Sequence, residues 1–73
     1  MEAFLAFLQS LKPDTDFLSS DNLVEDGVLD SLDIFDIIEA AESKYGIVID
    51  GEDVDPDHFV TPHAMWQMIE KYL

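Results

Sequence analysis

The chain has no cysteine, so disulfides, thiolate metal sites and a cysteine nucleophile are all excluded. Lacking cysteine is also compatible with a reducing cytoplasm, which is the expected compartment. Cations are nearly missing: three lysines stand against 17 Asp and Glu, for a formal net charge of −14. Nucleic acid and anionic membrane need the opposite sign, so neither is an expected partner. No apolar run is long enough to span a bilayer. The opening "MEAFLAFLQSLKP" carries an acid where a secretory signal needs a basic start, and it has no small-residue cleavage site. Repeats and low-complexity linkers are absent as well.

What is present is apolar enough to fold. Hydrophobic residues make up 48% of the 73, including five Phe, two Tyr and a Trp. That sets the chain apart from highly charged disordered sequences. The expectation is one small domain over residues 1–73, monomeric, with a negative surface that either solubilises it or faces basic docking sites.

Residues 2–11 place Phe4, Leu5, Leu8 and Leu11 on one helical stripe, which Pro13 stops. Residues 13–29 mix Asp, Ser and Asn with the apolar anchors Phe17, Leu18, Leu23, Val28 and Leu29. They predict a long ordered loop, and loops of that length in small domains are usually functional. The clearest helix follows, with Ile34, Ile37, Ile38, Ala41 and Tyr45 on one face and Asp36, Glu39 and Ser43 opposite. Gly46 stands where a left-handed cap ends it. "IVIDGEDVDPDHF" then predicts an extended apolar piece, an acidic turn and a short helix after Pro56. Thr61 as N-cap and Pro62 as first helical residue start the last helix. Its expected buried set is Met65, Trp66, Ile69 and Leu73, with Met68 as further core filling. The fold class expected is all-α, with three longer helices and one short one.

At the start of the second helix, Asp30 as N-cap with Asp33 three residues on makes an acidic version of the capping box. That leaves Ser31 exposed, its hydroxyl at the mouth of the helix. An anion attached there meets free backbone N–H groups. Leu32 falls on the acidic face, apolar and exposed beside the serine.

"GVLDSLDIFDIIEAAESKYGI" resembles the acyl carrier, or phosphopantetheine-binding, protein family. Asp30, Ser31 and Leu32 match the family's Asp-Ser-Leu motif at the head of an acidic helix ending in Tyr45, Gly46 and Ile47. "LVEDGVLDSL" before it and "FVTPHAMWQMIEKYL" after it extend the likeness through nearly the whole chain. The resemblance implies a small four-helix bundle that is a carrier and not an enzyme. It implies 4′-phosphopantetheine on Ser31, flanked by Asp30 and Leu32. A phosphopantetheinyl transferase installs it from coenzyme A, and the thiol then carries acyl or aminoacyl groups as thioesters. Leu32, Asp33, Asp36, Glu39 and Glu42 become the face for loading and acyl-transfer enzymes with basic docking surfaces. Such carriers serve fatty-acid, polyketide, nonribosomal-peptide or D-alanylation biosynthesis. Glu39 stands where many fatty-acid carriers have an apolar residue, Lys44 interrupts the acidic helix end, and the first helix is short for the family. With the insert-like "DGEDVDPDHFVTP", these departures favour a discrete aminoacyl or D-alanyl-type carrier. Phe4, Phe35, Phe59 and Trp66 are expected to fill the core and leave little room for a long acyl chain.

Weaker patterns point elsewhere. Asp53, Asp55 and Asp57 imitate the first ligand positions of an EF-hand loop, but His58 follows where glycine is required and Ala64 stands in the twelfth place. His58 and His63 are too few for a zinc site, so no metal is expected. A hydrolase pairing Ser31 with either histidine lacks any sequence support for an oxyanion site. The alternative to a carrier is an unmodified acidic helical interaction module.

Overall fold

The computed structural model describes residues 2–73, and what is described is helical. Three α-helices, α1 (Glu2–Leu11), α2 (Ser31–Tyr45) and α3 (Pro62–Glu70), are joined by a long loop and by two 3₁₀ turns, Gly51–Asp53 and Pro56–Phe59. No strand forms among the described residues. The short helix expected after Pro56 is a single 3₁₀ turn, because Asp55 caps it at His58 N and the chain leaves it after Phe59.

The predicted punctuation holds at each boundary. Thr61 Oγ1 accepts from Ala64 N at 3.1 Å, and Pro62 opens α3. Gly46 ends α2 in the left-handed region at φ 65°, where a Cβ would be strained. The core gathers Phe4 and Leu8 of α1, Ile37, Ile38 and Ala41 of α2, and Met65, Met68 and Ile69 of α3. Phe17, Leu23, Leu29, Ile49 and Phe59 complete it from the connecting segments. The 12–30 loop is held by main-chain bonds as well: Leu23 N donates to Val60 O at 2.8 Å and Leu29 N to Leu23 O at 3.0 Å.

Four expected core positions are corrected. Phe35 is 57% exposed, Leu18 70% and Leu73 65%, and Trp66 is only half-buried. Leu18 is turned out by the bend from Asp16 to Ser19, whose neighbour Phe17 takes the inward place. Leu73 lies past α3, where bonds tighten to the i→i+3 pattern and carry the chain off the register of Ile69. Trp66 instead stacks at the surface between Phe4 and Tyr45, with ring centroids 5.3 and 5.8 Å away. The Phe35 side chain belongs to the site described below.

The acidic 50–57 stretch is used locally. Asp50 caps the first 3₁₀ turn at Glu52 N (3.0 Å) and Asp55 caps the second. Asp53 accepts from Lys71 Nζ at 2.7 Å and from the Tyr72 hydroxyl, tying this stretch to the end of α3. His58 Nδ1 lies 2.7 Å from the Asp53 carbonyl. Among the described residues no group of three potential ligands could hold a metal ion. Nor, among them, is any helix long and apolar enough to cross a membrane.

The net charge sets a salt response. The molecule measures 28 × 24 × 19 Å, while the screening length is about 30 Å in 10 mM salt and about 8 Å in 150 mM. In dilute buffer every carboxylate therefore repels every other, and at physiological salt only near neighbours do. Screening also weakens the lysine pairs, but three cations are outnumbered by 17 acids. Raising NaCl across that range is expected to relieve on the order of 1 kcal/mol, read as roughly 4–8 °C in melting temperature. MgCl₂ should act in the same direction. A melting temperature that stays flat or falls with salt would show that the charges are already compensated by their placement.

Candidate functional site

Two aspartates make the start of α2. Asp30 has the extended backbone of an N-cap, and its Oδ1 accepts from Asp33 N at 2.9 Å. Asp33 Oδ2 returns the bond by accepting from Asp30 N at 3.2 Å. This is the reciprocal capping box expected from the sequence, with both roles taken by carboxylates. Ser31 is then the first helical residue, exposed, with its hydroxyl outside the capping pair. The N–H groups of Ser31 and Leu32 precede the first intrahelical bond, made by Ile34 N to Asp30 O at 3.0 Å. With the positive end of the helix dipole they make this end one where an anion is favoured.

Beside Ser31 runs an open groove of about 210 Å³. Ile34 and Phe35 of α2 form one wall, and Val54, Asp55, Pro56 and Phe59 form the other. Phe59 is fully buried beneath it, and Asp55 is the one charged side chain in its lining. A slightly larger recess, about 250 Å³, is lined by Asp57, His58 and Lys71 among others, and none of its residues comes from α2.

Phe35 is where expectation and structure part. At about 100° per residue it lies roughly 100° from the centre of the buried stripe and about 60° from Leu32. Helical angle alone therefore places it outside the buried stripe, and only its residue type suggests the core; the structure puts it at the groove edge. Leu32, 74% exposed, stands on the outer face as expected.

The four acids assigned to docking do different things. The Lys12 ammonium, from the end of α1, reaches Asp33 Oδ1 at 3.0 Å and Asp36 Oδ2 at 2.8 Å. Glu42 accepts from Ile49 N at 2.8 Å and so ties the segment after α2 to the helix. Glu39 is exposed. Lys44 lies over the rings of Phe7 and Tyr45, 5.3 and 5.8 Å from their centres. Neither the Lys12 bridge nor the Val54–Phe59 wall had a local signal in the sequence, since both join residues about twenty or more positions apart.

The bridge shifts its members in opposite directions. Lys12 first, and the Asp30 N–H second, hold the Asp33 carboxyl below its usual 3.8. Asp36 and then Asp33 hold the Lys12 ammonium above its usual 10.5. A lowered carboxyl contributes stability that is present above its ordinary value and lost as pH falls through its folded value. A raised ammonium contributes stability that is present below its ordinary value and lost as pH rises through its folded value. The stability advantage of wild type over Lys12→Gln is thus expected to be level between about pH 5 and 9 and to shrink at both ends. Urea titrations of both proteins across pH would measure it. A difference that stays constant from strongly acidic to strongly alkaline pH would mean that the bridge contributes nothing to folding.

Compared with known proteins, the chain matches no family model, no curated protein and no solved structure.

Proposed function

We propose that the protein is an acyl carrier that bears 4′-phosphopantetheine on Ser31 and presents thioester-bound groups to partner enzymes. The observation that carries this reading is the Ser31 hydroxyl, exposed at the first position of α2, outside its own capping box and beside an apolar groove. The likeness of the Asp30–Ser31–Leu32 motif and its flanks to carrier proteins supplies the identity of the group. In this reading the helices form the carriers' four-helix bundle, with the Pro56–Phe59 turn in the place of the short helix.

The residues present suit the group. The Ser31 and Leu32 N–H groups would face its phosphate, and Ile34, Phe35, Val54 and Pro56 would flank an arm leaving Ser31 along the groove. The prosthetic group, when bound, supplies the thiol that a chain without cysteine lacks. On modification the Ser31 hydroxyl gives up its proton, its oxygen bonds the phosphorus, and adenosine bisphosphate leaves coenzyme A. No side chain of this protein needs to act as a catalyst, because the transferase and the loading enzymes do the chemistry.

The cargo is short or polar, an aminoacyl group such as alanyl. The large core side chains, Phe4, Phe17 and Phe59 among them, are essentially without solvent contact, and inserting volume into a packed core costs about 1–3 kcal/mol. The groove is open to solvent and of modest size, so it shelters little beyond the arm itself. After incubation with coenzyme A, Mg²⁺ and a phosphopantetheinyl transferase, intact mass should rise by one phosphopantetheine per chain. No gain would leave an unmodified acidic interaction module. For the loaded forms, hydrolysis of a hexanoyl thioester should be no slower than that of an acetyl one once intrinsic reactivity is allowed for. Selective protection of hexanoyl would return the protein to the fatty-acyl or polyketide class.

A further inference from the structure

The chain's three lysines are all engaged. Lys44 lies over Phe7 and Tyr45, Lys71 holds Asp53 at 2.7 Å, and Lys12 bridges Asp33 and Asp36. Lys12 differs from the others in what it covers. Asp33, Asp36 and Glu39 follow one another around the solvent side of α2 at spacings of three residues, an arc of about 120°. The Lys12 ammonium is seated on the first two. Glu42, on the far side of the arc, accepts with its carboxylate from Ile49 N. Among the described residues, Glu39 alone of the α2 acids has neither a cation nor a backbone N–H on its carboxylate. It lies between the exposed side chains of Leu32, seven residues back, and Phe35, four residues back.

We propose that Lys12 is an intramolecular placeholder that divides the docking face of α2. One half, Leu32–Phe35–Glu39, is open to a partner; the other half, Asp33–Asp36, is already filled by an ammonium. The partner that fits presents an apolar patch with a single cation opposite Glu39. A second partner cation gains little at Asp36 unless it displaces Lys12, which turns a broad attraction for basic surfaces into a narrower one. A bridge at the surface is weak enough to be displaced and strong enough to discriminate. What docks there rests on the carrier reading; the division of the face does not.

The test uses the unmodified protein, so it is independent of whether Ser31 is ever loaded. Isotopically labelled protein is titrated with tetralysine peptide in dilute buffer, and affinity is read at the amides of α2. In wild type the shifts should centre on Glu39, and Glu39→Gln should weaken binding more than Asp36→Asn. Lys12→Gln should tighten binding at α2 by about two- to five-fold, the range set by surface ion pairs, and spread the shifts to Asp33 and Asp36. Lys71→Gln removes the same unit of charge away from this face and should leave α2 binding nearly unchanged. The proposal is overturned if Lys12→Gln tightens binding no more than Lys71→Gln, or if Asp36→Asn weakens the wild-type complex as much as Glu39→Gln.

Discussion

Ser31→Ala is expected to accept no phosphopantetheine while melting within a few degrees of wild type. Both halves follow from the division of labour at the start of α2. The cap is built by Asp30 and Asp33, whose mutual bonds of 2.9 and 3.2 Å leave Ser31 out. Alanine at the first helical position has, if anything, the better helix propensity. The variant therefore removes the acceptor oxygen and nothing that holds the helix. Asp30→Ala makes the contrast, because losing an N-cap acid costs about 0.5–2 kcal/mol while the Ser31 hydroxyl remains. Intact mass after transferase treatment, together with thermal unfolding followed by circular dichroism, reads both effects. Modification persisting in Ser31→Ala would move the attachment to another hydroxyl, and a large loss of helix would show that Ser31 is part of the framework.

Phe59→Ala should have the largest effect on stability of any single change near the site. Phe59 is 1% exposed and joins the second 3₁₀ turn to the core under the groove. Removing a buried Phe ring costs about 3–5 kcal/mol, and a chain of this length has a total stability of only about 4–11 kcal/mol. At roughly 4–8 °C per kcal/mol, the melting temperature should fall by about 12 °C at the least. Phe35→Ala, across the same groove, removes a ring that is already 57% exposed and should stay within about 0.5 kcal/mol of wild type. Chemical denaturation of the two variants compares them directly. A loss at Phe35 as large as that at Phe59 would mean that both walls belong to the core, and a small loss at Phe59 that its burial contributes little.

Much of the helical framework was legible because its signals are local. Thr61-Pro62 starts α3, Gly46 ends α2, and the Asp30/Asp33 box sets the register that leaves Ser31 out, each through bonds spanning only a few residues. The apolar stripes of α1 and α2 followed from angle alone, and Phe4, Leu8, Ile37, Ile38 and Ala41 are buried accordingly. The expectation fails in two ways: Phe35 goes to the core for being aromatic although its angle lies off the stripe, and Leu73 continues the α3 stripe by angle although the helix tightens before reaching it.

The sequence by itself determined where α2 and α3 start and where α2 ends, the capping of α2 and the exposure of Ser31 and Leu32, since backbone caps and a 3.6-residue period act within a turn or two. It also determined the acidity of the surface, which is a matter of composition. Only the tertiary structure decided what stands opposite Ser31 and which acids are free. The groove wall comes from residues 54–59, and the cation on Asp33 and Asp36 comes from the end of α1, 24 positions before Asp36. Both depend on how the core brings distant segments together. A carboxylate's spacing along a helix says which way it faces, but not whether a lysine from elsewhere has already reached it.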